Sequence, residues 1–185
     1  MVKTLKRSFF ERPTLQVAPE LLGKTIVLRN DRKKPKSGII IEVEAYTEND
    51  PACHAARGKT PRNEVMFGIG GFSYVYFIYG MYHCLNLVTE KKGIPGAILI
   101  RALEISDEDL RIASGPGKLC KYLNITKNHN GLDCCNENSS LIVTNNSPYK
   151  IKNFSITQTT RIGIRKAVHY PWRWYLKESP SVSKK

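Results

Sequence analysis

Apolar and polar positions change rhythm several times along the chain, and each change predicts an element. The runs "GKTIVLRN" and "SGIIIEVEAY", joined by the polar turn "RNDRKKPKSG" (29–38), read as a β-hairpin. From residue 41 the second run alternates: Ile41, Val43 and Ala45 face one way, Glu42, Glu44 and Tyr46 the other. Two more strands are predicted at 72–79 and 82–88, with a tight turn around Gly80 between them. The continuous apolar run "GAILIRALE" (96–104) predicts a central strand. "SGPGKLCKYLNI" (114–125) predicts a short helix with Leu119 and Leu123 on one face. "SSLIVTN" (139–145) and "TTRIGI" (159–164) predict two further short strands. Between them lies one long stretch, 47–71, rich in turn residues and without periodicity; such loops inside compact domains are usually functional. The sum is a mixed α+β fold around a largely antiparallel sheet, one domain spanning residues 1–185. With 41% hydrophobic residues, that domain can bury a core without disulfides or metal.

Charge adds a partner to this outline. The formal net charge is +13, and the bases crowd the first 36 and the last 25 residues. Such a surface attracts a polyanion, most often nucleic acid. No apolar run approaches the roughly 20 residues needed to cross a bilayer, and the basic N-terminus lacks the apolar stretch of a signal peptide. An intracellular, soluble protein with no membrane partner is expected. Five cysteines, an odd number without a C-x-x-C pair, suggest reduced thiols. Cys53-His54 has no second pair at ligand spacing, so no metal site is expected.

Several residues could carry chemistry. Glu44 and Tyr46 share a strand face at a separation of ~6.6–7 Å, which leaves room for a flat base against the ring and a water against the carboxylate. Glu44 could then act as general base; equally, glutamate is routine on a polar strand face. Asn86 and Arg101 sit inside apolar runs and each needs a specific partner if buried. An arginine beside Glu44 could hold the carboxylate ionised, or could simply form a structural ion pair. "RGKTPRN" is not a nucleotide-triphosphate loop, because Cys53 stands where the pattern requires glycine. "SGPGKL", with Lys118 in the first turn, suits one phosphate at a helix start, although glycine is also ordinary punctuation there. In the aromatic run "FSYVYFIYGMYHCLNLV" (72–88), Tyr74 and Tyr76 share a face, while Tyr79 has the opposite parity and sits at the turn.

The motifs "IEVEAY", "HAARGKTPRNEVMF", "YVYFIYGMYHCLNLV", "AILIRALE" and "SGPGKL" occur in one order, flanked by "FFERPTLQVAPELLGK" and "RIGIRKAVHYPWRWYLKESPSVS". In these motifs the chain closely resembles the 3-methyladenine (alkyladenine, methylpurine) DNA glycosylase family over nearly its whole length. The resemblance implies a mixed α/β domain around a curved antiparallel sheet with a protruding, DNA-intercalating hairpin. It implies a monofunctional enzyme, acting as a monomer without metal or cofactor, that excises alkylated or deaminated purines from double-stranded DNA and leaves an abasic site. The substrates would be 3-methyladenine, 7-methylguanine, hypoxanthine and ethenoadenine. By match, Glu44 would be the general base and Arg101 would help it position the water. Tyr46, His54 and Tyr76 would enclose the extruded base, Asn86 would disfavour guanine's exocyclic amine, and Tyr79 would fill the gap in the duplex. The segment from Tyr46 to His54 is one residue shorter than in the mammalian form, Glu178 stands where a small residue is expected, and the long mammalian N-terminal extension is lacking. Two other classes compete: a non-catalytic nucleic-acid binder with tyrosine stacking platforms, and a nuclease using the acids at 42–50 to hold metal.

Overall fold

One long strand organises the molecule. The computed structural model describes residues 3–30, 33–145 and 155–184. Strand β2 (Lys33–Tyr46) pairs along one edge with β5 (Gly96–Glu104). Its other edge is divided between β1 (Thr25–Asn30) and β8 (Arg173–Leu176), which meets Glu42, Val43 and Glu44. Register breaks in the β2–β5 ladder between Ile40 and Val43 re-aim the strand where the two halves join. Outward from β5 lie β4 (Tyr82–Thr89) and β3 (Ser73–Ile78); outward from β1 lies β6 (Leu141–Thr144). β7 (Ile156–Thr159) pairs with β8. All ladders are antiparallel and the sheet curls into a half-barrel, the α+β architecture expected.

Three helices cover the sheet: α1 (Arg7–Phe10), α2 (Thr14–Leu21) and α3 (Pro116–Leu123). Of the two starts the sequence allowed, at Ser114 or after Gly115, α3 takes the second. Ser114 bridges to Ala102, and Pro116 starts the helix, where its missing N–H costs nothing. Leu119, Cys120 and Leu123 turn inward against β4 and β5. The main core joins α1, α2 and α3 to the sheet through Phe10, Leu21, Ile40, Ile41, Leu85 and Ile100. A smaller cluster, Cys53, Ala55, Met66, Tyr74, Val88 and Ala97, underlies the long loop.

Two expectations need correction. "TTRIGI" is not a strand: β7 ends at Thr159. Arg161 turns inward to Asp50, Ile162 gives its N–H to the Glu44 carboxylate, and Gly163 has φ +77°. These groups are committed to the interior and cannot join a ladder. Nor is the Glu42–Glu44 face a solvated one, because Arg173 and Ser183 close over Glu42 and Ile162 over Glu44; both glutamates are 0% exposed. The β1–β2 hairpin forms, but its strands take up most of the expected 29–38 turn: β1 runs to Asn30 and β2 starts at Lys33, with residues 31 and 32 outside the described residues. All five cysteines are free thiols. No helix among the described residues is long and apolar enough to cross a membrane.

Candidate active site

A cavity of about 670 Å³ opens between the β3–β4 hairpin, the start of α3, the loop after β2 and the 162–166 turn. Tyr46, His54, Tyr76, Tyr79, Asn86 and Arg101 all line it, so six of the seven singled-out residues meet there despite their spread through the chain. Glu44 is placed immediately behind the wall. Its Oε1 accepts from Ile162 N (2.7 Å) and pairs with Arg101 Nη1 (3.3 Å), while its Oε2 accepts from the Tyr46 hydroxyl (2.9 Å). The strand spacing alone suggested a gap between Glu44 and Tyr46; instead the tyrosine hydroxyl folds back onto the carboxylate.

Opposing influences act on Glu44. Burial pushes its carboxyl above the usual range, while the Arg101 charge and the bonds from Ile162 and Tyr46 pull it down; the net direction is up. Burial and the adjacent carboxylate also raise the Tyr46 phenol, which stays protonated and remains a donor. Arg101 reaches both acids of its face, with Nε on Glu42 Oε1 (3.0 Å) and Nη1 on Glu44. The pairing expected for a mid-strand arginine is therefore double.

The long loop is shaped by its own polar side chains. Asp50 caps Ala52 N (3.0 Å), and buried Asn63 donates to the His54 and Gly58 carbonyls (2.9 and 3.0 Å). His54 thus enters the cavity wall despite the shortened segment before it. Its ring lies edge-on to Tyr76, with centroids 4.6 Å apart, and its Nδ1 is 2.8 Å from the Tyr74 hydroxyl. Burial, then the Arg62 charge, lowers the His54 pKa, so the ring is neutral at neutral pH. Tyr74 is buried, borders the cavity and orients His54. Asn86 is fixed by donating to the Tyr74 carbonyl (3.1 Å).

At the hairpin tip Tyr79 is 78% exposed and has φ +54°, followed by Gly80 at +68°. Met81 N donates to Ile78 O (3.3 Å), closing a tight turn of the primed kind that matches strand twist. Tyrosine in the left-handed region is uncommon, and here it aims the ring away from the sheet. Phe77 and Met81 extend this exposed apolar tip.

Sequence reasoning missed four contributors. Ile162 acts through its backbone N–H, which no residue type signals. Arg161, sandwiched between the Tyr46 and Trp172 rings (4.7 and 5.2 Å to the centroids), pairs with Asp50 and binds the Ala45 carbonyl. Glu42 and Arg173 form a buried pair (2.8 Å). The visible hint was the unusual density of acids at 42–50 in a basic chain. Glu178 accepts from Ser155 N (2.9 Å), tying the end of β8 to the start of β7. Of the acids at 42–50, Glu42, Glu44 and Asp50 are committed to arginines and backbone, and no group of three or more His, Cys, Asp or Glu comes together as a metal site among the described residues.

A cavity with flat aromatic walls, a desolvated carboxylate behind them and an aromatic hairpin tip at its mouth suits a hydrolase that accepts a planar base. Comparison with known proteins gives the family. Residues 8–180 match the methylpurine-DNA glycosylase family, and the chain belongs to it. Relatives named "Putative 3-methyladenine DNA glycosylase" are found in bacteria and archaea. That of Trichodesmium erythraeum is 46% identical over 98% of both chains. That of a Wolbachia endosymbiont of Brugia malayi is 52% identical over 92% of this chain and 95% of its own. That of Methanocella arvoryzae is 48% identical over 98% and 96%.

Proposed function

We propose that this chain removes alkylated purines from duplex DNA by hydrolysing the N-glycosidic bond. The observation that carries the proposal is the buried Glu44–Arg101 pair against a tyrosine-lined cavity, in a chain belonging to this family. A base inside a duplex is out of reach, so the nucleotide is rotated out and its lost stacking must be offset. Tyr79, exposed at a turn, enters the vacated stack, while basic residues around it hold the backbone.

The extruded base lies between Tyr46 on one side and Tyr76 with His54 on the other. Cationic 3-methyladenine and 7-methylguanine gain ~0.5–2 kcal/mol from each electron-rich ring face. Neutral hypoxanthine and ethenoadenine depend on shape and on hydrogen bonds from His54 and Asn86, whose amide disfavours guanine's exocyclic amine. A carboxylate offers about four lone-pair positions, and Ile162, Arg101 and Tyr46 take three, leaving one for a water. That water attacks C1′, its proton passes to Glu44, and the C1′–N bond electrons leave with the base. The carboxylate also stabilises the oxocarbenium character that develops. The product is an abasic site with the strand intact; no cofactor or metal takes part. The whole chain works as one monomeric domain, inside the cell where DNA is kept.

A panel of duplexes, each with one defined lesion, assayed for free base with excess chelator, tests the reading. Release of alkylated purines, with strand cleavage only after alkali, is expected. Tight single-strand binding without release of any base would instead identify a nucleic-acid-binding platform.

A further inference from the structure

Glu42 takes no part in the reaction as proposed, yet it is the most heavily bonded acid near the site. Its Oε1 accepts from Arg101 Nε (3.0 Å), Arg173 Nη1 (2.8 Å) and the Ser183 hydroxyl (3.0 Å), and its Oε2 from Ser183 N (2.7 Å). The Ser183 hydroxyl also accepts from Arg101 Nη2 (3.3 Å). Around this knot the segment 179–184 is stitched down along its length. Ser179 donates to Glu104 (2.6 Å), Val182 is buried in the core with its carbonyl bonded by Ser114 (3.4 Å), and the Lys184 carbonyl accepts from Arg173 (2.8 Å).

A guanidinium is a rigid planar fork. Arg101 has Nε held by Glu42 and Nη2 by Ser183, so the remaining nitrogen, Nη1, has its direction set; it is the one that meets Glu44. Without those two anchors the arginine could swing into the cavity it lines; without Ser183 it could settle on Glu42 alone. We propose that the segment 181–184 is a strap that, through Ser183 and Glu42, holds the Arg101 fork in register with Glu44 for the hydrolytic step. Ser183 and Glu42 are thus positioning residues, and the inference rests on the roles given to Glu44 and Arg101 above.

Ser183→Ala is the decisive variant, because it removes one hydroxyl and no charge. Single-turnover base release should fall about 10–150-fold, the worth of one hydrogen bond to charged partners, with the duplex Kd unchanged. Ser183→Thr, which keeps the hydroxyl, restores the rate. In an Arg101→Lys background, which has no fork to align, Ser183→Ala should cost nothing further. The groups facing Glu44 are Arg101, Glu42, Tyr46, Tyr76, Cys84 and Arg161, and Ser183→Ala alters the charge of none. Loosening Arg101 removes part of the attraction that lowers the Glu44 pKa, so the acid limb of the rate profile should move to higher pH. Glu42→Gln should show the same non-additivity with a larger loss, its melting temperature recorded alongside. An unchanged rate and limb in Ser183→Ala, or an equal loss in both backgrounds, would overturn the proposal and leave the strap purely structural. Failure of the underlying reading looks different: the wild type itself would release no base, and both would fall.

Discussion

Replacing Glu44 by glutamine separates chemistry from architecture at this site. The carboxamide has the same shape: its oxygen can keep the bonds from Ile162 N and Arg101, and its NH2 can donate to the Tyr46 hydroxyl now bound to Oε2. What disappears is the capacity to take a proton, worth about 10²–10⁴-fold in rate, or ~2.7–5.4 kcal/mol of barrier. Stability should move the other way. Burial lifts the folded-state Glu44 pKa more than Arg101, Ile162 and Tyr46 depress it. The folded protein therefore holds this proton more tightly than the unfolded chain does. The stability that Glu44 contributes is fully present below its unfolded value and is lost as pH rises through the raised folded one. Above that folded value the ionised side chain is thus a net cost, and glutamine relieves it. Each kcal/mol relieved raises the melting temperature of a chain this size by roughly 2–4 °C. Single-turnover release from a 7-methylguanine duplex, paired with thermal melts at pH 7.5 and pH 4, measures both. The expected variant is inactive, melts no lower than wild type at pH 7.5, and converges on it in acid. Equal release rates would remove Glu44 as the base. A fall of several degrees at pH 7.5 would show instead that the Arg101 pair outweighs desolvation.

Three further outcomes are expected. Tyr46→Phe deletes the hydrogen bond that favours ionised Glu44, so the acid limb of the rate–pH profile should shift upward while the stacking face survives; an unmoved limb would contradict that contact. Tyr79→Ala should weaken lesion capture on duplex by about 5–100-fold, the worth of one base–aromatic stack. Single strands should be hardly affected, and equal losses on both would deny a role within the duplex. Arg161→Ala strands Asp50, whose side chain is 0% exposed. It should cost ~3–5 kcal/mol in denaturant unfolding, and a loss below 1 kcal/mol would mean that water reaches the pair.

Much of this arrangement is legible locally. The alternation in "IEVEAY" puts Glu42, Glu44 and Tyr46 on one face because a strand has period two, and Arg101 does bond both acids of that face. The apolar runs of β3, β4 and β5 likewise define strands whose observed limits lie within a residue of the expected ones. The mid-strand Asn86 and Arg101 announce partners, because an unpaired polar group at such a position is costly. Short-range patterns fail where the bond partner lies far along the chain. "TTRIGI" has strand composition, yet Arg161 and Ile162 answer to Asp50 and Glu44, 111 and 118 residues away. "RWYL" becomes a strand only because β2 and β7 offer it edges.

By itself, then, the sequence determined strands β1 to β6, which way the side chains of β2 alternate, and the family likeness that brings a glutamate, an arginine and three tyrosines together. Only the tertiary structure decided that Glu44 lies behind the cavity wall rather than on an open face. The same holds for its partners: Ile162 N, Tyr46 and Arg101 take three of its lone-pair positions, and a strap near residue 183 secures the arginine. The physical reason is that a carboxylate's burial and bonding depend on what the rest of the chain lays over it, and that covering is invisible to any local pattern.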